Sequence, residues 1–193
     1  SYDLRSKFEV YNDLKNDKEK VTLSMTAWSK IFLDKNDLLP LSGLSNIKSI
    51  LCNENGYYSS YLSDRYGFNN PDKEWDKKSI DYLVLGDSFA HGACVNRPND
   101  ISSVLRSLSK KNVLNLGISG NGPLTEYATL REYKHTNVKN IIWIYFEGYD
   151  LADLINEKKN FILMNYIKDE NFSQNLRSRN NAKDQVVKKI TKK

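Results

Sequence analysis

A serine that could act as a nucleophile stands directly after an apolar run of the sequence. The run Ile80 to Gly86 is followed by Asp87 and Ser88, so the Ser88 hydroxyl is expected where a strand turns into a helix. Gly86 allows a tight turn, and free N–H groups at a helix start can hold developing negative charge. This position suits acyl transfer through a serine. The alternative is that Asp87 or Ser88 only caps the helix, which is the commoner role of such residues.

A glycine ends the second apolar run, from Val113 to Gly117. The N–H of Gly117 can be offered to a reacting oxygen because no side chain stands in the way. Asn121 follows in the next loop and could donate to the same oxygen. The alternative for Asn121 and Gly122 is a turn that needs positive φ angles before the next helix.

The third apolar run, Ile141 to Phe146, leads to Gly148, Tyr149 and Asp150. An aspartate at this position is expected to cap the helix that follows. The Tyr149 hydroxyl could donate a hydrogen bond.

The three apolar runs predict buried parallel strands, because they are rich in Val, Ile, Leu and aromatic residues without alternation. Helical spacing follows each of them, after Asp100, after Pro123 and from Leu151 onwards. This order predicts an α/β fold with a parallel sheet and helices on both faces. Ligands bind such sheets at the carboxyl ends of the strands, so Ser88 and Gly117 are expected to meet there.

Three short segments follow the apolar runs: the first block contains Asp87 and Ser88, the second Gly117 and Asn121, and the third Gly148 to Asp150. In this order the three blocks resemble the SGNH/GDSL family of esterases and lipases. Residues 63–76 (SDRYGFNNPDKEWD) resemble the segment before the first strand in bacterial members linked to surface polysaccharides. The resemblance covers roughly residues 57 to 160. It implies a three-layer α/β/α fold with a parallel sheet (flavodoxin-like), incomplete at the C-terminal side, and no metal or organic cofactor. It implies the following site: Ser88 as nucleophile, an oxyanion hole from Ser88, Gly117 and either Asn121 or Tyr149, and Gly86, Asp87, Gly148 and Asp150 as supporting motif residues.

The sequence departs from the family pattern at two points. Tyr149 replaces the asparagine that the family places in its third block, and the late Asp-x-x-His block is missing. His135 is about 12 residues along a helix from the sheet edge, roughly 18 Å away, which excludes it as the base. His91 is expected to be a surface or loop histidine. We therefore expect the natural protein to continue beyond Lys193, with further strands and an Asp-x-x-His.

The resemblance implies hydrolysis of an acyl ester, such as an acetyl ester on a carbohydrate, through an acyl-enzyme at Ser88. The segment alone is then expected to be inactive. An O-acyltransferase could use the same site, and a non-catalytic domain that binds glycan or protein is the alternative from a different class. The partner is accordingly a small acyl ester or an acylated glycan.

Composition limits the other partners and the domain organisation. The net charge of +5 is spread over lysines that alternate with acidic residues, so nucleic acid is not expected as a partner. The longest apolar run, Ile141 to Phe146, is too short to span a bilayer, so no membrane contact is expected from this segment. The chain begins with Ser1, which leaves the compartment and an upstream anchor open. Cys52 and Cys94 could form one bridge, but they lack the close spacing of a metal or redox motif and are expected to be packed thiols.

We expect residues 1–56 to form a helical or irregular lead-in and residues 57–193 the N-terminal portion of the SGNH-like domain. One or two surface helices are predicted within residues 3–35, and one or two amphipathic helices after Asn160.

Overall fold

The computed structural model describes residues 2–26 and 38–191, which form a mixed α/β structure with two three-stranded sheets. The strands are β1 (Val21–Leu23), β2 (Lys48–Ile50), β3 (Ser60–Leu62), β4 (Ile80–Leu85), β5 (Val113–Asn115) and β6 (Val138–Trp143). The helices are α1 (Lys7–Asn16), α2 (Ser88–His91), α3 (Ile101–Ser109), α4 (Pro123–Tyr133), α5 (Asp150–Glu157), α6 (Phe161–Lys168) and α7 (Asn180–Thr191), and a 3-10 helix, Asp72–Asp76, precedes β4.

The second sheet contains the three predicted strands in the order β5-β4-β6, and all of its pairs are parallel. Leu83 of β4 lies opposite Leu114 on one side and Ile141 on the other. The strands β4 and β5 begin where the apolar runs begin, whereas β6 begins at Val138 and ends at Trp143, three residues earlier at each end than the apolar run. The predicted α/β class with a parallel sheet is therefore confirmed.

Helices pack against both faces of this sheet. Leu83 and Leu85 belong to the main core, together with Leu124 and Ala128 of α4. Val84 points to the opposite face, where Leu105 of α3 packs against it. This alternation buries β4 on both sides, which explains why its sequence shows no polar positions in the second half.

Among the described strands, β6 lies at the edge of the sheet and pairs with β4 alone. Its side chains are only partly covered: Ile141 and Trp143 keep 43% and 42% of their surface exposed. The strand therefore presents apolar side chains and an unpaired backbone edge to solvent.

The first sheet was not predicted from the sequence. Its strand β2 pairs parallel with β1 and antiparallel with β3. Each strand has three residues, too few to produce a recognisable alternation of apolar and polar positions. The pair of β2 and β3 crosses the boundary that we expected at residues 56 and 57, so the lead-in and the domain share a sheet.

The terminal segments carry the predicted helices in part. Within residues 3–35, α1 is a surface helix with a capping box formed by Ser6 and Glu9, and residues 27–37 lie outside the described part. The helices α6 and α7 follow Asn160, as expected. None of the helices in the described ranges is both long and apolar enough to cross a membrane.

The two cysteines form a disulfide, so the expectation of packed thiols was wrong. The bridge joins Cys52, which follows β2, to Cys94, which follows α2, across 42 positions of the sequence. The first sheet is thereby linked covalently to the block that carries Ser88.

Candidate active site

Ser88 is the first residue of α2 and follows the carboxyl end of β4 through a turn that only glycine accommodates. Gly86 has a φ of +144°, and a Cβ there would lie 2.8 Å from the carbonyl oxygen of Ile144. Asp87 caps α2 by accepting a hydrogen bond from the Phe89 N–H at 3.1 Å. The half-buried Ser88 hydroxyl donates to Asp87 Oδ2 over a long distance of 3.4 Å. Asp87 is therefore the capping residue of α2, and the Ser88 hydroxyl makes only this one weak hydrogen bond with the described residues.

Gly117 lies directly against α2. A Cβ on Gly117 would be 2.5 Å from the Cβ of Ala90 and 2.6 Å from the His91 nitrogen, so only glycine allows this contact. The second block thus meets the first at the same end of the sheet. The Gly117 N–H, however, donates to Asn115 Oδ1 at 2.8 Å and is buried. The donor that the sequence suggested for the oxyanion hole is engaged elsewhere in this conformation.

Asn121 and the Ser88 backbone offer donors that are free of protein partners within the described ranges. The Asn121 side chain is 98% buried, its Oδ1 lacks a hydrogen-bond partner, and its Nδ2 donates to no described residue. The Ser88 N–H begins α2 and likewise has no acceptor among the described residues. Each of these two groups therefore keeps an N–H that no described residue accepts.

The third block approaches Ser88 through aromatic side chains. The Phe146 ring lies 5.7 Å from that of Phe89 and 5.5 Å from that of Tyr149, measured between centroids. Tyr149 is 68% exposed and Gly148 is exposed beside it. The Tyr149 hydroxyl therefore projects into solvent, where a shorter carboxamide was expected.

Asp150 is buried and stabilises the turn after β6. Its Oδ2 accepts the Phe146 N–H at 2.7 Å, and Tyr149, which lacks a capping bond, is the N-cap of α5. The expectation that Asp150 caps α5 was therefore wrong: Asp150 is the first residue of the helix, and its side chain bonds to the preceding turn. Burial raises the pKa of Asp150, and the nearby carboxylate of Asp87 raises it further. The third block therefore lies close to the first.

Neither histidine can serve Ser88 as a base. His91 is fully buried instead of lying on the surface or in a loop as expected, and its Nδ1 accepts the Ser119 N–H at 3.0 Å. Its Nε2 lies 3.0 Å from the Tyr61 hydroxyl, and burial lowers the pKa of His91 to about 3. His135 follows α4 and accepts the Asn137 N–H near the amino end of β6. It therefore lies at the amino ends of the strands, whereas Ser88 lies at the carboxyl ends. The two histidines therefore leave the Ser88 hydroxyl without an imidazole base, and its only side-chain partner among the described residues is Asp87.

Residues 63–76 connect the first and second blocks. Asn70 exchanges two hydrogen bonds with the backbone of Asn115, both at 2.8 Å. Asn69 donates to the His91 carbonyl at 2.9 Å. Asp64 is fully buried and accepts from the Trp75 indole, the Asn70 amide and two backbone N–H groups. These hydrogen bonds fix the position of α2 relative to the end of β5.

Two buried carboxyl groups near the site were missed by the sequence analysis. Glu126 accepts a hydrogen bond from the Trp143 indole through Oε2, while its Oε1 is buried and has no hydrogen-bond partner in the described part of the chain. Burial raises the pKa of Glu126 to about 8. Glu157 accepts the Gly122 N–H at 2.8 Å and the Leu124 N–H at 2.9 Å, and so caps α4 from another helix. Acidic residues within amphipathic helices give no sequence signal of such roles.

A cleft of about 530 Å³ opens at Ser88. Its walls come from α1, the segment after β1, the disulfide, and the start of α3; they include Lys7, Thr26, Cys52, Cys94 and Asn99. The nucleophile candidate therefore faces a space large enough for a small ligand.

In the parts of the chain that the structure describes, no three His, Cys, Asp or Glu side chains are arranged to hold a metal ion. Comparisons with protein-family models, curated proteins and solved structures gave no match for this chain. The chemistry of the site therefore has to be argued from its own residues.

Proposed function

We propose that this chain is the nucleophile-bearing part of an SGNH-type serine esterase that hydrolyses an acyl ester, such as an acetyl ester, on a carbohydrate. The observation that carries the proposal is the close contact of Gly117 with α2, which brings the second block behind Ser88. The order β5-β4-β6 adds support, because sites in such sheets lie at the carboxyl ends of strands around a switch in strand order.

In the proposed reaction the Ser88 oxygen adds to the ester carbonyl carbon while a base takes the hydroxyl proton. The tetrahedral oxyanion accepts hydrogen bonds from the Ser88 N–H and from the Asn121 amide. Gly117 joins them once its N–H leaves Asn115. Collapse of the intermediate expels the sugar alcohol with a proton, and water then releases the acid from the acyl-enzyme.

The complete three-layer α/β/α fold with a larger sheet is part of the same proposal. The unpaired edge of β6 and its exposed Ile141 and Trp143 support strands beyond β6. The missing base is proposed to lie in the same additional part, outside the described residues.

The test uses the full-length protein, a fluorophosphonate probe and an acetyl ester. Ser88→Ala is expected to abolish labelling and to lower turnover by a factor on the order of 10³ or more, because no other group replaces the nucleophile. Ser107→Ala changes an exposed serine on α3 and is expected to behave as wild type. Equal turnover by wild type and Ser88→Ala would reject the proposal.

A non-catalytic binding domain is the second candidate, and two observations favour it. Tyr149 projects into solvent at the position of the expected asparagine, and the Gly117 N–H is engaged by Asn115. This candidate predicts that full-length protein binds glycan but that the fluorophosphonate probe leaves Ser88 unlabelled. Labelling of Ser88 would count against it.

A further inference from the structure

The cleft beside Ser88 contains a lysine from the N-terminal helix. Lys7 belongs to the first turn of α1 and lines the same space as Ser88 and Ser119. Residues far apart in sequence thus place a cation and the candidate nucleophile in one cleft.

The Lys7 ammonium lacks an anionic partner among the described residues. Its only hydrogen bond there is to the carbonyl oxygen of Ser24, at 3.2 Å, which leaves two of its three N–H bonds for other acceptors. The side chain is half-buried, and burial lowers the pKa of Lys7 with no carboxylate to offset it. A cation that is partly desolvated and unpaired gains strongly from an anionic ligand.

The two carboxylates that line the cleft leave this cation unpaired. Asp100 is the N-cap of α3: its Oδ1 accepts the Ser103 N–H at 2.9 Å, while its buried Oδ2 has no hydrogen-bond partner among the described residues. Glu54 is exposed to solvent and makes no electrostatic contribution to the pKa of Lys7. The remaining polar lining consists largely of hydroxyl and amide groups, including Ser24, Thr26 and Asn99, which suit a sugar.

We propose that Lys7 binds the carboxylate of an acidic sugar, so that the site takes acyl esters of acidic glycans. The proposal rests on the function proposed above for the catalytic step, but the binding that it describes does not require turnover. The role assigned to Lys7 is recognition of the sugar, and Ser88 remains the reacting group.

The test measures binding of a trigalacturonate and of the corresponding neutral trisaccharide to the full-length protein by isothermal titration calorimetry. Wild type is expected to bind the acidic sugar at least about ten-fold more tightly, because only the acidic sugar can accept a charge-assisted hydrogen bond from the Lys7 ammonium. Lys7→Gln is expected to lose this difference while keeping its affinity for the neutral sugar. Lys7→Arg is expected to keep most of the difference.

Lys168→Gln is the matched control, since Lys168 is exposed at the end of α6, outside the cleft. It is expected to discriminate as wild type does. The inference would be overturned if Lys7→Gln kept the wild-type preference for the acidic over the neutral sugar, or if wild type showed no such preference. Fluorophosphonate labelling of the same samples separates the two proposals. If Ser88 is labelled but the protein does not prefer the acidic sugar, only the inference about Lys7 is rejected. If the protein prefers the acidic sugar but Ser88 is not labelled, the glycan site stands and the esterase is rejected.

Discussion

Glu126 places an acidic group in a buried position where ionisation is unfavourable. Its pKa is raised to about 8 by burial, and the carboxylates of Asp150, Asp87 and Glu157 act in the same direction. An unfolded glutamate ionises near pH 4.5, so the native state binds the proton more tightly between about pH 4.5 and 8. The contribution of Glu126 to stability is therefore complete below pH 4.5 and is lost as the pH rises towards 8.

We predict that Glu126→Gln raises the free energy of unfolding relative to wild type at pH 9 and changes it little at pH 5. The amide stays neutral and its oxygen can still accept from Trp143, so only the ionisation penalty is removed. Urea denaturation at both pH values measures the difference. Glu170→Gln, at an exposed position, should show no such pH dependence. If the free energy of unfolding differs between wild type and Glu126→Gln by the same amount at pH 5 and pH 9, the raised pKa of Glu126 is contradicted.

His91 shows what the sequence could not reveal at the residue scale. It was expected on the surface or in a loop, but it is buried by contacts with Tyr61 of β3 and Ser119, which are distant in sequence. The ring is a neutral link between the first sheet and the loop after β5. Only the tertiary structure distinguishes this link from a catalytic base.

At the scale of elements, residues 63–76 depend on one buried carboxylate. Asp64 accepts four hydrogen bonds, and its replacement would leave the Trp75 indole and two backbone N–H groups without their acceptor, and the Asn70 amide with Asn115 alone. We predict that Asp64→Ala lowers the free energy of unfolding by about 3 kcal/mol or more, because several buried donors lose their partner at once. Chemical denaturation monitored by tryptophan fluorescence measures the loss.

Asp76→Ala is the matched control for Asp64→Ala. Asp76 belongs to the same segment but is exposed, and its salt bridge with Arg65 lies at the surface. Such a pair contributes less than about 1 kcal/mol. If both variants lose similar stability, the connecting role of Asp64 is wrong.

The sequence predicted the elements around the site better than the contacts among them. The strands β4 and β5 were evident because burial on both faces selects continuous apolar runs, and Gly86 and Gly117 marked their ends. The first three residues of β6, Val138 to Asn140, were missed, since an edge strand exposed to solvent tolerates polar residues. The capping of α4 by Glu157 was not predictable either, because a bond across more than 30 positions leaves no local pattern.

On the scale of the whole molecule, the disulfide between Cys52 and Cys94 holds the first sheet against the block of Ser88. A bridge that closes a loop of this length stabilises by about 4 kcal/mol in the chain-entropy model. We predict that reduction lowers the melting temperature by roughly 10 °C, and that Cys52→Ser with Cys94→Ser does the same. Differential scanning calorimetry with and without reductant measures the shift.

The double serine variant supplies its own control, since a reductant has no bond to break in it. Its melting temperature should not respond to reductant. A wild-type melting temperature that is equally insensitive would show that the bridge does not restrain the fold.

The outer side of β6, which pairs with no other strand of the described residues, has a practical consequence for purification of this chain. Its backbone donors and acceptors, flanked by Ile141 and Trp143, favour self-association, because an extended polypeptide can add to such an edge. Kinetic or calorimetric work at high concentration would then report on clusters of molecules. Dilute samples, with monodispersity checked by light scattering, are the proper starting material.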